Sequence, residues 1–282
     1  MEFKGSVATA KQTAIDEVAE ARPQAGRAAE AERRWSGLAI RVTSLALILV
    51  AWEVYGRFFL NPVIFTYPTA IAGAFVELTA SGALLKAAGE SLWVLLAGWA
   101  VAIISGIPVG LLMARYRLVE QSLDTYVNAL YATPIVAMVP LIINWFGFTE
   151  LARMVIVFLF AVFPILINTF QGVRNVEPSL IEVAHSFCSR ELQLWRDVVL
   201  PSALPYIVAG LRLAIGRGLV GLVVAELFTA ISGLGGIIER SAPAIRNDQM
   251  MVPIVLLMGI GVGLTAGLKA LERWLAPWSA GR

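Results

Sequence analysis

A chain of 282 residues in which 58% are hydrophobic and 15% charged, with a mean hydropathy of +0.76, is too apolar for a water-soluble domain and belongs in a bilayer. Its net charge of +2 and scattered basic residues exclude a nucleic-acid-binding surface. One Cys and one His exclude an internal disulfide and any cysteine or histidine metal cluster.

Residues 1–36 form a polar arm in which Lys4, Lys11, Arg22, Arg27, Arg33 and Arg34 alternate with Asp16, Glu17, Glu20, Glu30 and Glu32. No apolar core precedes a small-residue cleavage site near the start, which argues against a cleaved signal peptide. Residues 37–277 read as one transmembrane domain containing a polar loop at 172–203, and 278–282 as a short cytoplasmic tail.

Crossing a hydrocarbon core about 30 Å thick takes about 20 helical residues. Segments near 38–58, 89–114, 122–146, 152–171, 204–228 and 250–272 meet that length or approach it. The fold class is therefore all-α, a polytopic membrane protein with about six transmembrane helices. With the N-terminus inside, fifteen Lys and Arg fall on the cytoplasmic side and five outside, which places both termini and the loop at 172–203 in the cytoplasm.

Between the first two segments, Asn61-Pro62 and Tyr67-Pro68-Thr69 are turn chemistry, followed by an amphipathic helix expected to lie on the surface. In the second segment Gly106 and Gly110 allow close helix approach, as do Gly210, Gly216, Gly218 and Gly221 in the fifth and Gly259, Gly263 and Gly267 in the sixth. Pro108, Pro134, Pro140 and Pro164 interrupt helical hydrogen bonding. Trp52, Trp93, Trp99, Trp145, Trp274 and Trp278 mostly fall near segment ends, where indole suits the interface. Ser232-Gly233-Leu234-Gly235-Gly236, after the fifth segment, reads as too flexible for a helix interior.

A few polar side chains lie inside the apolar segments. Thr133, Asn144 and Asn168 suit interhelical hydrogen bonds, with substrate contact as the alternative. Arg212 is close enough to the cytoplasmic interface to snorkel there. Arg217 lies deeper, and its two readings are a pathway lining and an ion pair with Glu226, Asp124 or Glu120 of this chain or a second copy. Glu226 is nine residues beyond Arg217, nearly opposite on the helix wheel, so a pair within one helix is disfavoured.

Glu182 to Pro201, EVAHSFCSRELQLWRDVVLP, is a polar, helix-prone island between apolar segments. Pro178 suits a first helical turn, with Ser179 and Glu182 near the unpaired amides, so a short helix is expected over about 178–187. Leu180, Ala184 and Phe187 fall at i, i+4 and i+7 and make one apolar stripe, with Glu182 and His185 off it. Cys188 and Ser189 turn the chain, Arg190–Val198 makes a second short helix, and Pro201 with Pro205 redirects the backbone.

Glu182-Val183-Ala184, then Cys188, then Val199-Leu200-Pro201 resembles the E-A-A, G, I-L-P signature of permease subunits in ATP-binding-cassette importers. Valine replaces the first alanine and cysteine the glycine, and a non-glycine residue in a left-handed turn costs about 1 kcal/mol. Ala132-Thr133-Pro134 through Pro140 to Trp145-Phe146-Gly147 is similar to the permease branch serving nitrate, sulfonate, taurine and related compounds. So are Ala209-Gly210-Leu211-Arg212 through Val224-Ala225-Glu226-Leu227 and the closing Leu275-Ala276-Pro277-Trp278.

The resemblance implies a type I importer fold and a site without bond chemistry. Two permease copies would form the path, two cytoplasmic ATPase subunits would carry ATP and Mg, and a periplasmic binding protein would deliver the solute. Leu180 with Glu182, Val183, Ala184, His185, Ser186, Phe187, Cys188 and Ser189 would form the coupling helix and its turn, seated in the ATPase. Arg217, Thr133, Asn144, Asn168 and Glu226 are the candidates for the translocation path. A small anion is the implied solute, although uncharged pyrimidines and thiamine precursors are carried by similar permeases.

None of the four lysines, Lys4, Lys11, Lys86 and Lys269, precedes Ser or Thr, so the chain has no Walker A phosphate loop. No cofactor is expected in this chain, and ATP hydrolysis is assigned to a separate subunit. His185, Cys188 and the neighbouring serines are too close on one short helix to act as nucleophile, base and orienter, which weakens an intramembrane enzyme. An ion-gradient-driven secondary transporter is the leading alternative; it calls for intramembrane carboxylates and an internal repeat.

Overall fold

The computed structural model describes residues 39–276 apart from 62–63 and 230–231. The arm at 1–36, the tail at 278–282 and Trp278 lie outside the described residues, as does Pro62. Every regular element among the described residues is helical.

Two compact units divide the chain, the first ending at Pro68 and the second starting at Thr69. In the first, α1 (Ala39–Phe58) is long and apolar enough to cross a membrane. Its Trp52 indole donates to the Thr66 carbonyl at 3.0 Å. The Asn61 carbonyl accepts from the amides of Ile64 and Phe65, the turn that its sequence announces.

The second unit starts one residue into α2 (Pro68–Ala80) and runs on through α3 (Ala83–Arg115), α4 (Arg117–Ala132), α5 (Ile135–Phe146), α6 (Glu150–Arg174), α7 (Pro178–Ser186) and α8 (Glu191–Leu194). A π turn (Trp195–Val199) then leads into α9 (Leu200–Thr229), α10 (Gly233–Ser241) and α11 (Asn247–Leu275). The helices α3, α6 and α11 and the continuous run Glu191–Thr229 each have spanning length and hydropathy. With α1 that makes five candidate spans among the described residues, or six if the bent pair α4 and α5 is one span.

The core sits on α6, which packs against both α3 and α9. Lipid tails are as apolar as leucine, so close backbone approach has to supply the packing energy. Gly98, Gly106 and Gly110 of α3 make that approach: a Cβ on Gly110 would come 2.7 Å from the Leu166 carbonyl. On α9, a Cβ on Gly210 would meet the Asn168 Cβ at 2.7 Å, and one on Gly221 the Phe160 ring at 2.9 Å. Gly216, Gly259, Gly263 and Gly267, expected in the same role, face open space within this chain, and Gly218 makes only ordinary contact.

The structure departs from the sequence expectations at several points. The third apolar segment is not one helix: α4 and α5 meet at 96°. Pro134 has no amide to donate and forces Thr133 out of the helical region, to φ −69° and ψ 133°. Pro108, Pro140 and Pro164 instead stay inside helices. Pro201 and Pro205 do not redirect the chain either, because the extra residue of the π turn just before them lets the helix continue. Trp99 is mid-helix, packed among Ala102, Phe163, Ala214 and their neighbours, away from either end of α3.

The glycine run after α9 is the buried first turn of α10 rather than a flexible strap. Side chains receive its free amides: Glu90 from Gly233 at 3.1 Å, Ser91 from Leu234 at 2.8 Å, and Glu226 from Gly235 at 2.7 Å. A Cβ on Gly235 would come 2.5 Å from the Glu226 Cβ, so glycine is what lets helix and carboxylate meet.

Candidate functional site

At one end of the bundle the chain leaves α6, forms α7 and returns through α8. Pro178 occupies the start of α7, where its missing amide costs nothing. The Ser179 hydroxyl donates to the Glu177 carboxylate at 2.7 Å instead of serving the helix amides.

Leu180 is 44% exposed, Val183 54% and Phe187 82%, whereas Ala184 is only 7% exposed. The outward apolar face of α7 is therefore Leu180, Val183 and Phe187, and Ala184 belongs to the inner face. Glu182, His185, Ser186 and Cys188 are exposed, and Ser189 is half-buried. The Ser186 hydroxyl donates to the Glu182 carbonyl within the helix.

The helix closes in a turn with Cys188 at φ +54°. The Cys188 amide bonds the His185 carbonyl at 2.9 Å and the Ser189 amide the Ala184 carbonyl at 3.1 Å, the pairing of a Schellman turn. Beyond it, Gln193 accepts from the Arg190 amide at 2.8 Å and starts α8.

A clamp that the sequence did not announce ties this return to the bundle. Arg115, at the end of α3, pairs with Glu191 at 2.5 Å and lies over the Trp195 ring at 5.3 Å. Nearby, Arg174 pairs with Glu120 at 3.1 Å. These residues are far apart in sequence, and no local pattern links them.

The second place of interest is the break between α4 and α5. A cleft of about 310 Å³ opens there, lined by Tyr131, Thr133, Pro134, Phe160, Phe163 and Arg217 among others. Arg217 donates to the Tyr131 hydroxyl at 3.4 Å, with its guanidinium 5.6 Å from the Tyr131 ring centre.

Of the pathway candidates, only Arg217 and Thr133 share this cleft. The Thr133 hydroxyl bonds the Ala129 carbonyl and the Asn168 amide the Pro164 carbonyl, each within its own helix rather than between helices. Asn144 is exposed on α5. Glu226 is wholly buried, holds the start of α10, and also accepts from the Ser91 hydroxyl at 2.5 Å.

The three carboxylates weighed as partners for Arg217 are engaged elsewhere: Glu226 with α10, Glu120 with Arg174, and Asp124 with the Asn128 amide. Arg212 pairs with Glu272 of α11 at 2.9 Å. Arg153, which the sequence did not single out, is buried and donates to Ser232 at 2.7 Å just before α10.

The family described as "Binding-protein-dependent transport system inner membrane component" matches residues 106–279. An aliphatic sulfonates transport permease protein of Bacillus subtilis is 33% identical over 234 residues, 83% of this chain and 85% of its own length. The taurine transport system permease protein of Escherichia coli is 29% identical over 241 residues, 84% of this chain and 88% of its own. A chain of the methionine ABC transporter MetNI, solved in inward facing conformations, aligns with a TM-score of 0.56 at 20% identity, covering 70% of this chain and 98% of that one. That last likeness is one of fold.

Proposed function

This chain belongs to the inner membrane components of binding-protein-dependent transport systems, and from that premise we propose that it is the membrane permease of an ATP-driven importer. Two copies form the path, two ATPase subunits dock on the α7 end, and a binding protein delivers the solute at the α10 end. The α7 end faces the cytoplasm, in keeping with the excess of Lys and Arg on that side. The solute is a small one of the sulfonate-bearing kind named for the Bacillus and Escherichia relatives.

One observation carries this reading: α7 presents Leu180, Val183 and an almost fully exposed Phe187 on a short, capped helix anchored back to the bundle. An apolar helix face of this kind seats in a groove of a partner. The turn at Cys188 and the contacts of Arg115 with Glu191 and Trp195 tie α7 to the start of the continuous run Glu191–Thr229, so displacement of α7 passes across that turn into the helix that becomes α9. ATP-driven closure of the two ATPase subunits would then rock the bundles between inward-open and outward-open. The gradient-driven alternative loses a carboxylate it would use, since Glu226 is committed to the start of α10.

Phe187→Asp is the direct test. A central aromatic anchor is worth at least about 2 kcal/mol of association, so the ATPase subunits should be lost from the complex in mild detergent and solute uptake should stop, while the permease stays folded. Retention of both would overturn the proposal. Uptake by this chain alone, driven by an ion gradient without ATP, would replace it with the secondary transporter.

A further inference from the structure

We propose that the cleft at the break between α4 and α5 is an anion-reading station inside the membrane path, with Arg217 as its specificity residue; this rests on the transport function proposed above. The ligand class is a small organic anion with a sulfonate or carboxylate head and a short apolar tail.

Position comes first. Arg217 lies seventeen residues after the start of α9 and twelve before its end, about 26 and 18 Å at 1.5 Å per residue. It is thus well inside a span-length apolar helix, and it is exposed on the surface of this chain. A guanidinium at that depth is costly against lipid tails and is found facing a bundle interior or a water-filled cavity. The α9 face bearing Arg217 therefore lines a path or a second copy, and not the bilayer.

Its chemistry comes second. Among the described residues Arg217 has no carboxylate partner, and its contact with protein is the Tyr131 hydroxyl and ring. One long hydrogen bond at 3.4 Å leaves most of its five N–H groups unused. The fork of a guanidinium matches the paired oxygens of a sulfonate or carboxylate, and such charge-assisted bonds strengthen where water is scarce.

The surroundings then select among anions. Phe160, Phe163, Ile135 and Val136 give the cleft apolar walls, and its volume of about 310 Å³ fits a solute of a few heavy atoms. A short alkyl tail has a place to lie while the head stays on Arg217. The cleft owes its existence to the break at Thr133–Pro134, because an unbroken helix there would not leave the space.

Saturation-transfer NMR on the full chain in lipid nanodiscs tests this without any partner subunit. Ethanesulfonate is the charged probe, and ethyl methyl sulfone its neutral counterpart of similar size. The expected result is transfer to the ethanesulfonate methyl protons, none to the sulfone, and at least about tenfold weaker binding in Arg217→Gln. Arg217→Lys, which keeps the charge and loses the fork, should retain part of the binding. Equal transfer to the two probes, or unchanged binding in Arg217→Gln, would overturn the proposal. A change in the number of copies per particle in Arg217→Gln, with ethanesulfonate binding retained, would also overturn it and make Arg217 a structural ion pair between copies. Loss of ATPase docking in Phe187→Asp bears only on the importer reading, and these nanodisc measurements bear only on the cleft.

Discussion

Cys188 carries a local strain that a neighbour in sequence does not relieve. A non-glycine residue in the left-handed region costs about 1 kcal/mol, and Cys188 holds φ +54° because the Schellman pairing of Cys188 and Ser189 requires that residue to turn back. Cys188→Gly should raise the melting temperature by about 2 °C, the gain being reduced by glycine's larger freedom when unfolded. Scanning fluorimetry of the variant against Cys188→Ala, which keeps the strain, checks it. A turn at Cys188 and Ser189 was legible in the chain, but a left-handed residue there was implied only by the glycine of the resembled signature, which Cys188 replaces. The outward side of α7 was not: helical spacing grouped Ala184 with Leu180 and Phe187, yet Ala184 is buried and Val183 exposed. Spacing tells which residues share a face, and only the packed neighbours decide which face points outward.

Among the elements, the bend between α4 and α5 separates local from tertiary causes most clearly. Pro134 and its effect on Thr133 are local and were readable as an interruption, but the 96° angle was not. A proline can stay within a helix, as Pro164 does in α6, or end a helix outright. Here α4 carries Arg117, Glu120 and Asp124, too polar for a span of its own, while α5 is apolar apart from Asn144. The two halves therefore have different preferred environments. Pro134→Ala restores an amide and should straighten the junction. With spin labels at positions 118 and 145 and Cys188 replaced, the separation should lengthen from about 30 Å to about 40 Å at 1.5 Å per helical residue. An unchanged separation would assign the bend to packing against α6 and α9 alone. The π turn before Pro201 is the converse case, since it keeps one helix running where two prolines suggested a corner.

For the whole molecule, the natural probe of orientation is Cys188, exposed and the only cysteine in the sequence. An impermeant maleimide should label it in inside-out vesicles and leave right-side-out vesicles unlabelled. Labelling from the outside would reverse the orientation and remove the α7 end from any cytoplasmic ATPase. The sequence by itself determined that this is a helical membrane protein with about six apolar segments, and that its longest polar loop carries the permease signature. Hydropathy, length and motif spacing are properties of neighbouring residues, so they survive without coordinates. Only the tertiary structure decided that Glu226 secures the start of α10, that Arg115 clamps Glu191 and Trp195, and that Arg217 faces a cleft with Tyr131. Each of these joins groups that the chain separates and that packing brings together: a buried carboxylate takes the nearest free helix amides, whichever segment supplies them, and side chains with no sequence relationship meet wherever glycines let two helices close.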